Sequence, residues 1–195
     1  MPLNTQLLRW SSSRYGYLSV ALGFIIMVVV YSVFFSFGVF FKPVLEEFGW
    51  SRAVPSGAFS ISWITQGLVS IFMGWLCDRI GPRIVLSISG FLIGTGLILT
   101  SQIQTIWQYY VFYGLVIGTG LSGVVVPLLS TVARWFIARR SMMTGVVATG
   151  VGVGIIAGPP LINNLVIAYG WRLSFLILGG ALLVLVVLIS QWLQS

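Results

Sequence analysis

The sequence predicts an all-α membrane protein: a bundle of six transmembrane helices built as a three-plus-three inverted repeat. Three observations lead there. Of 195 residues, 58% are hydrophobic and only 7% are charged. Soluble domains carry roughly 25% charge, so this chain cannot clothe a water-facing surface. The charges are also placed so that six long apolar stretches hold none, and a helix needs about 20 apolar residues to cross a bilayer. Lastly, part of the sequence returns after 88 residues. A β-barrel is excluded because its strands alternate in polarity over about 10 residues, whereas these runs are continuous.

The spans are expected at 18–41, 55–76, 84–100, 107–131, 142–162 and 173–193, so 18–193 forms one six-span domain behind a cytoplasmic segment, 1–17. The first span is too long for a signal-peptide core, and no A-x-A site follows it. Its centre brings Tyr31 and Ser32 to mid-depth; the second span brings Thr65 and Gln66. The third carries a small-residue step, Gly90 and Gly94. The fourth carries another, Gly114 and Gly118, with Thr119 and Ser122 near its centre and Tyr113 toward the outer side. On the fifth, Gly150, Gly154 and Gly158 form a ladder on one face, and Pro159 beside them predicts a kink. Such faces let helices pack backbone to backbone in lipid. Large polar side chains are costly to keep idle in hydrocarbon, so Tyr31 and Gln66 are the strongest candidates to touch a solute, ahead of Ser32, Thr65, Tyr113, Thr119 and Ser122.

Short loops make neighbouring helices antiparallel. With the N-terminus inside, the inner segments hold Arg9, Arg14, Arg79, Arg83, Arg134, Arg139 and Arg140, and the outer ones Lys42, Arg52 and Arg172. That asymmetry places both termini in the cytoplasm. Trp50, Trp107, Trp135 and Trp171 fall near span ends, as interface anchors do.

Composition also excludes chemistry. There is no histidine, and Cys77 is the lone cysteine, so neither an internal disulfide nor a Cys-based metal site is available. No cofactor or nucleic-acid partner is expected. The pI near 10.2 reflects ten cations against three anions, not a basic patch. Gly120-Leu121-Ser122-Gly123 has the nucleophile pattern of rhomboid proteases, but that serine needs a histidine base, so an enzyme is not expected.

The repeat aligns Phe48 with Phe136, Arg52 with Arg140, Ser56 with Thr144 and Gly57 with Gly145, as F-x3-R-x3-[ST]-G. The two copies fall on opposite sides of the membrane, the geometry of many transporters with a midplane site. Between the second and third spans lies Gly74-Trp75-Leu76-Cys77-Asp78-Arg79-Ile80-Gly81-Pro82-Arg83. Gly81 can supply a positive φ, Pro82 stops helical continuation, and Gly74 admits a neighbouring backbone. Asp78 is the single acid on the inner side. Arg134 is its expected partner, and a solvated turn acid is the bland alternative.

This segment resembles the signature of the major facilitator superfamily, G-x-L-x-D-R-x-G-x-R, filled by Gly74, Leu76, Asp78, Arg79, Gly81 and Arg83. The resemblance implies the N-terminal six-helix half of a twelve-helix secondary transporter, in which this motif is a cytoplasmic gate and Asp78 locks the halves together in one state. Phe40-Phe41-Lys42, Phe48-Gly49-Trp50-Ser51-Arg52-Ala53 and Arg134-Trp135-Phe136 with Arg139-Arg140 resemble the monocarboxylate and oxalate/formate branch. Gly145-x8-Gly154-x3-Gly158-Pro159 also fits the glycine motif of drug antiporters, though Gly114 stands where those carry an arginine. The implied partners are the lipid bilayer, a small solute and a second six-helix half or another copy. The implied site is a plasma membrane, that of a bacterium. Proton-coupled monocarboxylate carriers often hold a lysine deep in the first helix, where this chain has Val33, Phe34 and Phe35. No G-x4-G-K-[ST] loop is present. The alternative is a complete six-span scaffold or channel subunit.

Overall fold

The computed structural model describes residues 3–136 and 139–192, and side chains within 16–136 and 139–190. Leu193, the expected end of the sixth span, lies outside the described residues, as do the side chains of Arg9 and Arg14. Among the described residues there is no strand, and five helices are long and apolar enough to cross a membrane.

α1 (Leu3–Phe35) includes most of the segment expected to precede the first span. It stops at Ser36, whose hydroxyl donates to the Ser32 carbonyl at 2.6 Å. The Ser36 N–H donates to the same carbonyl at 3.2 Å, and the chain restarts as α2 (Phe37–Phe48), closed by Gly49 in the left-handed region at φ 64°. α3 (Ala53–Ile80) runs through most of the signature segment expected to be a loop. The turn is Gly81 alone, at φ 86° and ψ 160°, and Pro82 starts α4 (Pro82–Thr100) at its first position. There a missing N–H costs nothing and the ring's φ suits a helix.

The fourth membrane passage is broken. Thr105 and Gln108 form a capping box at its start. α5 (Ile106–Tyr109) passes into a π-helix (Tyr110–Ile117) and then α6 (Gly118–Ser122). Gly123 and Val124 leave the helix, and α7 (Val125–Trp135) completes it. Pro127 explains the break: it cannot donate to the Gly123 carbonyl. Gly123 and Val124 instead donate to carbonyls three residues back, at 3.3 Å.

α8 (Arg140–Trp192) holds 53 residues. At 1.5 Å per residue that is about 80 Å, far beyond one bilayer. The backbone stays helical through Pro159 and Pro160, and the interruption comes at Gly170, with φ 78° and ψ 164°. Its two arms pack on different helices. A Cβ at Gly154 would lie 2.7 Å from the Val28 carbonyl, and one at Gly158 2.6 Å from Ser32 Cα, so arm 140–169 lies backbone to backbone on α1. Gly94 and Gly179 meet in the same way, a Cβ on either falling within 3 Å of the other's carbonyl oxygen, and join arm 171–192 to α4. The Gly118 backbone packs equally closely on Ser62 of α3.

Candidate functional site

Tyr31 on α1 and Gln66 on α3 meet, with the Gln66 side chain within hydrogen-bonding reach of the Tyr31 hydroxyl. Tyr31 is buried, and Gln66 Oε1 is buried without a hydrogen-bond partner. Leaving a buried acceptor unsatisfied costs about 1–3 kcal/mol. Beside the pair is an aromatic group. Tyr31 and Phe35 lie 6.1 Å apart, and Phe35 and Trp63 6.1 Å apart at 67°. Phe34 and Phe59 meet the same indole at 5.5 and 6.2 Å. Trp63 precedes Gln66 by three residues, so the two share a face of α3.

The other polar candidates lie in packing positions. Ser32 sits under Gly158 and Thr65 under Gly118, at the two close crossings. The Ser122 hydroxyl donates to the Thr119 carbonyl at 2.6 Å. Tyr113 lies in the interior between Phe37 and Tyr109, beside an apolar void of about 10 Å³, room for one water.

The signature segment forms the end of α3 and the turn after it. Asp78 is exposed, and among the described residues no ion pair joins it to Arg134. Both charges are nevertheless near enough to act on the Cys77 thiol, so they share one corner of the bundle. Arg79 stacks over Trp75 at 4.3 Å, and Leu76 is half-buried. The backbone approach expected at Gly74 is absent: the space beside it is open, as it is beside Gly67. On α8, Gly145 and Gly152 are open too, in contrast to the filled ladder of Gly150, Gly154 and Gly158.

At the opposite end is a clamp that sequence reasoning missed. Arg172 donates to Glu47 Oε1 through Nε and Nη2 at 3.1 and 2.8 Å, and to the Ser101 and Ile103 carbonyls at 2.8 and 3.2 Å. Trp171 Nε1 donates to Glu47 Oε2 at 2.6 Å. One guanidinium thereby ties the end of α2 to the carbonyls after α4 and to the second arm of α8. Lys42 and Glu46 form only an exposed pair at 3.7 Å.

The chain matches the family profile described as Major Facilitator Superfamily over residues 23–194. It is 33% identical over 172 residues to monocarboxylate transporter 13 of Rattus norvegicus, covering 88% of this chain and 40% of that protein. To monocarboxylate transporter 1 of Homo sapiens it is 35% identical over 154 residues, 76% of this chain and 30% of the relative. To the oxalate:formate antiporter of Oxalobacter formigenes it is 28% identical over 178 residues, 91% and 42%. The chain thus spans less than half the length of these curated relatives. They are transporters, not enzymes, and the Gly120–Gly123 motif is accordingly a packing face. Signature, helical architecture and relatives agree: the chain belongs to the major facilitator superfamily, on the branch of the monocarboxylate and oxalate:formate carriers.

Proposed function

We propose that the protein is a secondary transporter of a small monocarboxylate, working by alternating access in a plasma membrane, with this chain supplying one six-span half. The spans are α1 with α2, α3, α4, the passage 106–135, and the two arms of α8. The observation that carries the reading is the recurrence of backbone events. α1 breaks at Ser36 and the fourth passage at Val124, 88 residues on, and α2 and α7 follow these breaks with 12 and 11 residues. The Gly81 and Gly170 turns have nearly the same angles and lie 89 residues apart. Matching events in oppositely directed spans support an inverted repeat, the architecture in which two bundles rock around a midplane site.

In this reading Gly67, Gly74, Gly145 and Gly152 are steps left open for helices of the remaining half, and Asp78 and Arg134 belong to a gate that closes against it. Asp78, Arg79, Arg83, Arg134, Arg139 and Arg140 face the cytoplasm. The sequence carries no charge between residues 15 and 41, 53 and 77, or 84 and 133. A carboxylate at mid-depth therefore takes its countercharge from outside this half, and Tyr31 and Gln66 contribute dipoles only. The test is saturable uptake of a labelled monocarboxylate by proteoliposomes holding the product of the complete gene. Uptake that does not saturate, or none above protein-free vesicles, would overturn the reading in favour of a channel subunit or scaffold.

A further inference from the structure

Four exposed residues of α3 stand in one line. Leu68, Phe72, Trp75 and Arg79 follow one another at steps of four, three and four residues, the spacing of neighbours on one helix face. The first three, with Ile71 at their edge, line an open groove of about 500 Å³. Arg79 closes its end, with the guanidinium stacked over the Trp75 ring at 4.3 Å. Stacking occupies the face of a guanidinium and leaves its N–H edges, the fork that grips a phosphate. Among the described residues those edges meet no partner: Arg79 makes no ion pair with an acid and no hydrogen bond to the carbonyls that end α3.

The glycine stripe runs beside this line, one residue earlier at every step: Gly67, Ile71, Gly74 and Asp78. One residue is a rotation of about 100°, so the two lines look out from different sides of α3. The glycine stripe can admit a helix backbone. The other presents two aromatic rings and a charge, which a second helix would have to bury with an acid of its own. Its length and polarity fit a lipid. Eleven residues separate Leu68 from Arg79, about 17 Å of helix, close to the half of a roughly 30 Å hydrocarbon core that one leaflet fills. The charge stands at the surface end and the apolar part runs inward, the order of a phospholipid. The sign of the charge selects among headgroups. At this end Arg79, Arg83, Arg134, Arg139 and Arg140 stand against a single acid, Asp78, which favours an anionic headgroup over a zwitterionic one.

We propose that this face of α3 binds one anionic phospholipid of the inner leaflet, its phosphate held by the Arg79 fork and an acyl chain laid along Trp75, Phe72 and Leu68. The site rests on the cytoplasmic placement of this end of α3 given above. It is read by binding and not by uptake, so its failure would leave the transporter reading standing. The test is native mass spectrometry of the delipidated product of the complete gene, offered equal amounts of phosphatidylglycerol and phosphatidylcholine with the same acyl chains. The first lipid retained should be phosphatidylglycerol by at least about fivefold, the factor that about 1 kcal/mol of headgroup attraction represents. Arg79→Gln should remove that preference and Arg79→Lys should keep part of it. Arg139→Gln, which removes the same charge from the segment before α8, should leave it. Trp75→Ala should weaken retention of phosphatidylglycerol several-fold. Equal retention of the two lipids overturns the proposal. So does a preference that Arg139→Gln lowers as much as Arg79→Gln, because the attraction would then be diffuse. Displacement by glycerol phosphate as complete as by excess phosphatidylglycerol also overturns it, leaving a phosphate site without a chain. If Arg79→Gln fails to fold, the wild-type preference and Trp75→Ala decide.

Discussion

Arg172 uses every donor edge of its guanidinium, and that fork is what a lysine lacks. Arg172 and Glu47 are about two-fifths exposed, so solvent screens the ion pair, and the greater loss on truncating Arg172 is the partners left behind, the Ser101 and Ile103 carbonyls. Arg172→Ala should lower stability by about 1–3 kcal/mol, read as a lower melting temperature in detergent. Arg172→Lys should recover little. Glu47→Gln combined with Arg172→Ala should cost clearly less than the sum of the two, because both act on one network. Additive losses would mean the two do not cooperate. Sequence reasoning saw Arg172 only as an outer charge, since a clamp joining residues 47, 101 and 172 has no local signature. Asp78 is the complementary case. Its motif is plain in the sequence, yet here it is exposed and without an ion pair to Arg134. The proposed gate has Asp78 meet its partner in another state of the carrier. Asp78→Asn in the complete protein should reduce transport roughly 5- to 150-fold, the span of a 1–3 kcal/mol bias on a two-state equilibrium, with normal insertion. Unchanged transport would make it a solvated turn acid.

Among elements, the spans were legible because lipid demands long apolar runs with no charge. Their interruptions were less so. Pro127 was a visible signal for the break at Gly123 and Val124. Ser36 was not, because serine is tolerated in membrane helices, and the same hydroxyl-to-carbonyl bond at Ser60 and Thr95 leaves the helix unbroken. The π-helix over Tyr110–Ile117 has no residue pattern that marks it. The glycine ladder was legible, but spacing could not separate the filled positions of α8 from the open ones. Gly154→Ala should force α1 and α8 apart at a cost of about 1–3 kcal/mol, whereas Gly152→Ala, with nothing within 4 Å, should be neutral or stabilising. Gly81 and Gly170 occupy backbone angles that only glycine takes readily. Alanine at either should cost of order 1–3 kcal/mol and to a similar extent at both. Equal losses fit two copies of one turn; a loss at only one would break that equivalence.

The whole molecule leaves much apolar surface uncovered on α3 and the first arm of α8. Leu68, Ile71 and Phe72 are largely exposed, and so are Met142 and Ile156. The open steps at Gly67, Gly74, Gly145 and Gly152 fall on the same two helices. Acyl chains or further helices would both satisfy such surfaces, and the proposed half-carrier assigns the glycine steps to helices. Gly74→Leu should then leave residues 1–195 inserted and folded, yet impair transport by the complete protein. The central claim is alternating access, and counterflow tests it most directly. Vesicles holding the complete protein are loaded with unlabelled monocarboxylate and diluted into a trace of labelled monocarboxylate. An alternating carrier exchanges one for the other, so label should rise transiently above its equilibrium level, and only in loaded vesicles. Label that climbs to equilibrium at the same rate whether or not the vesicles are loaded would contradict the account.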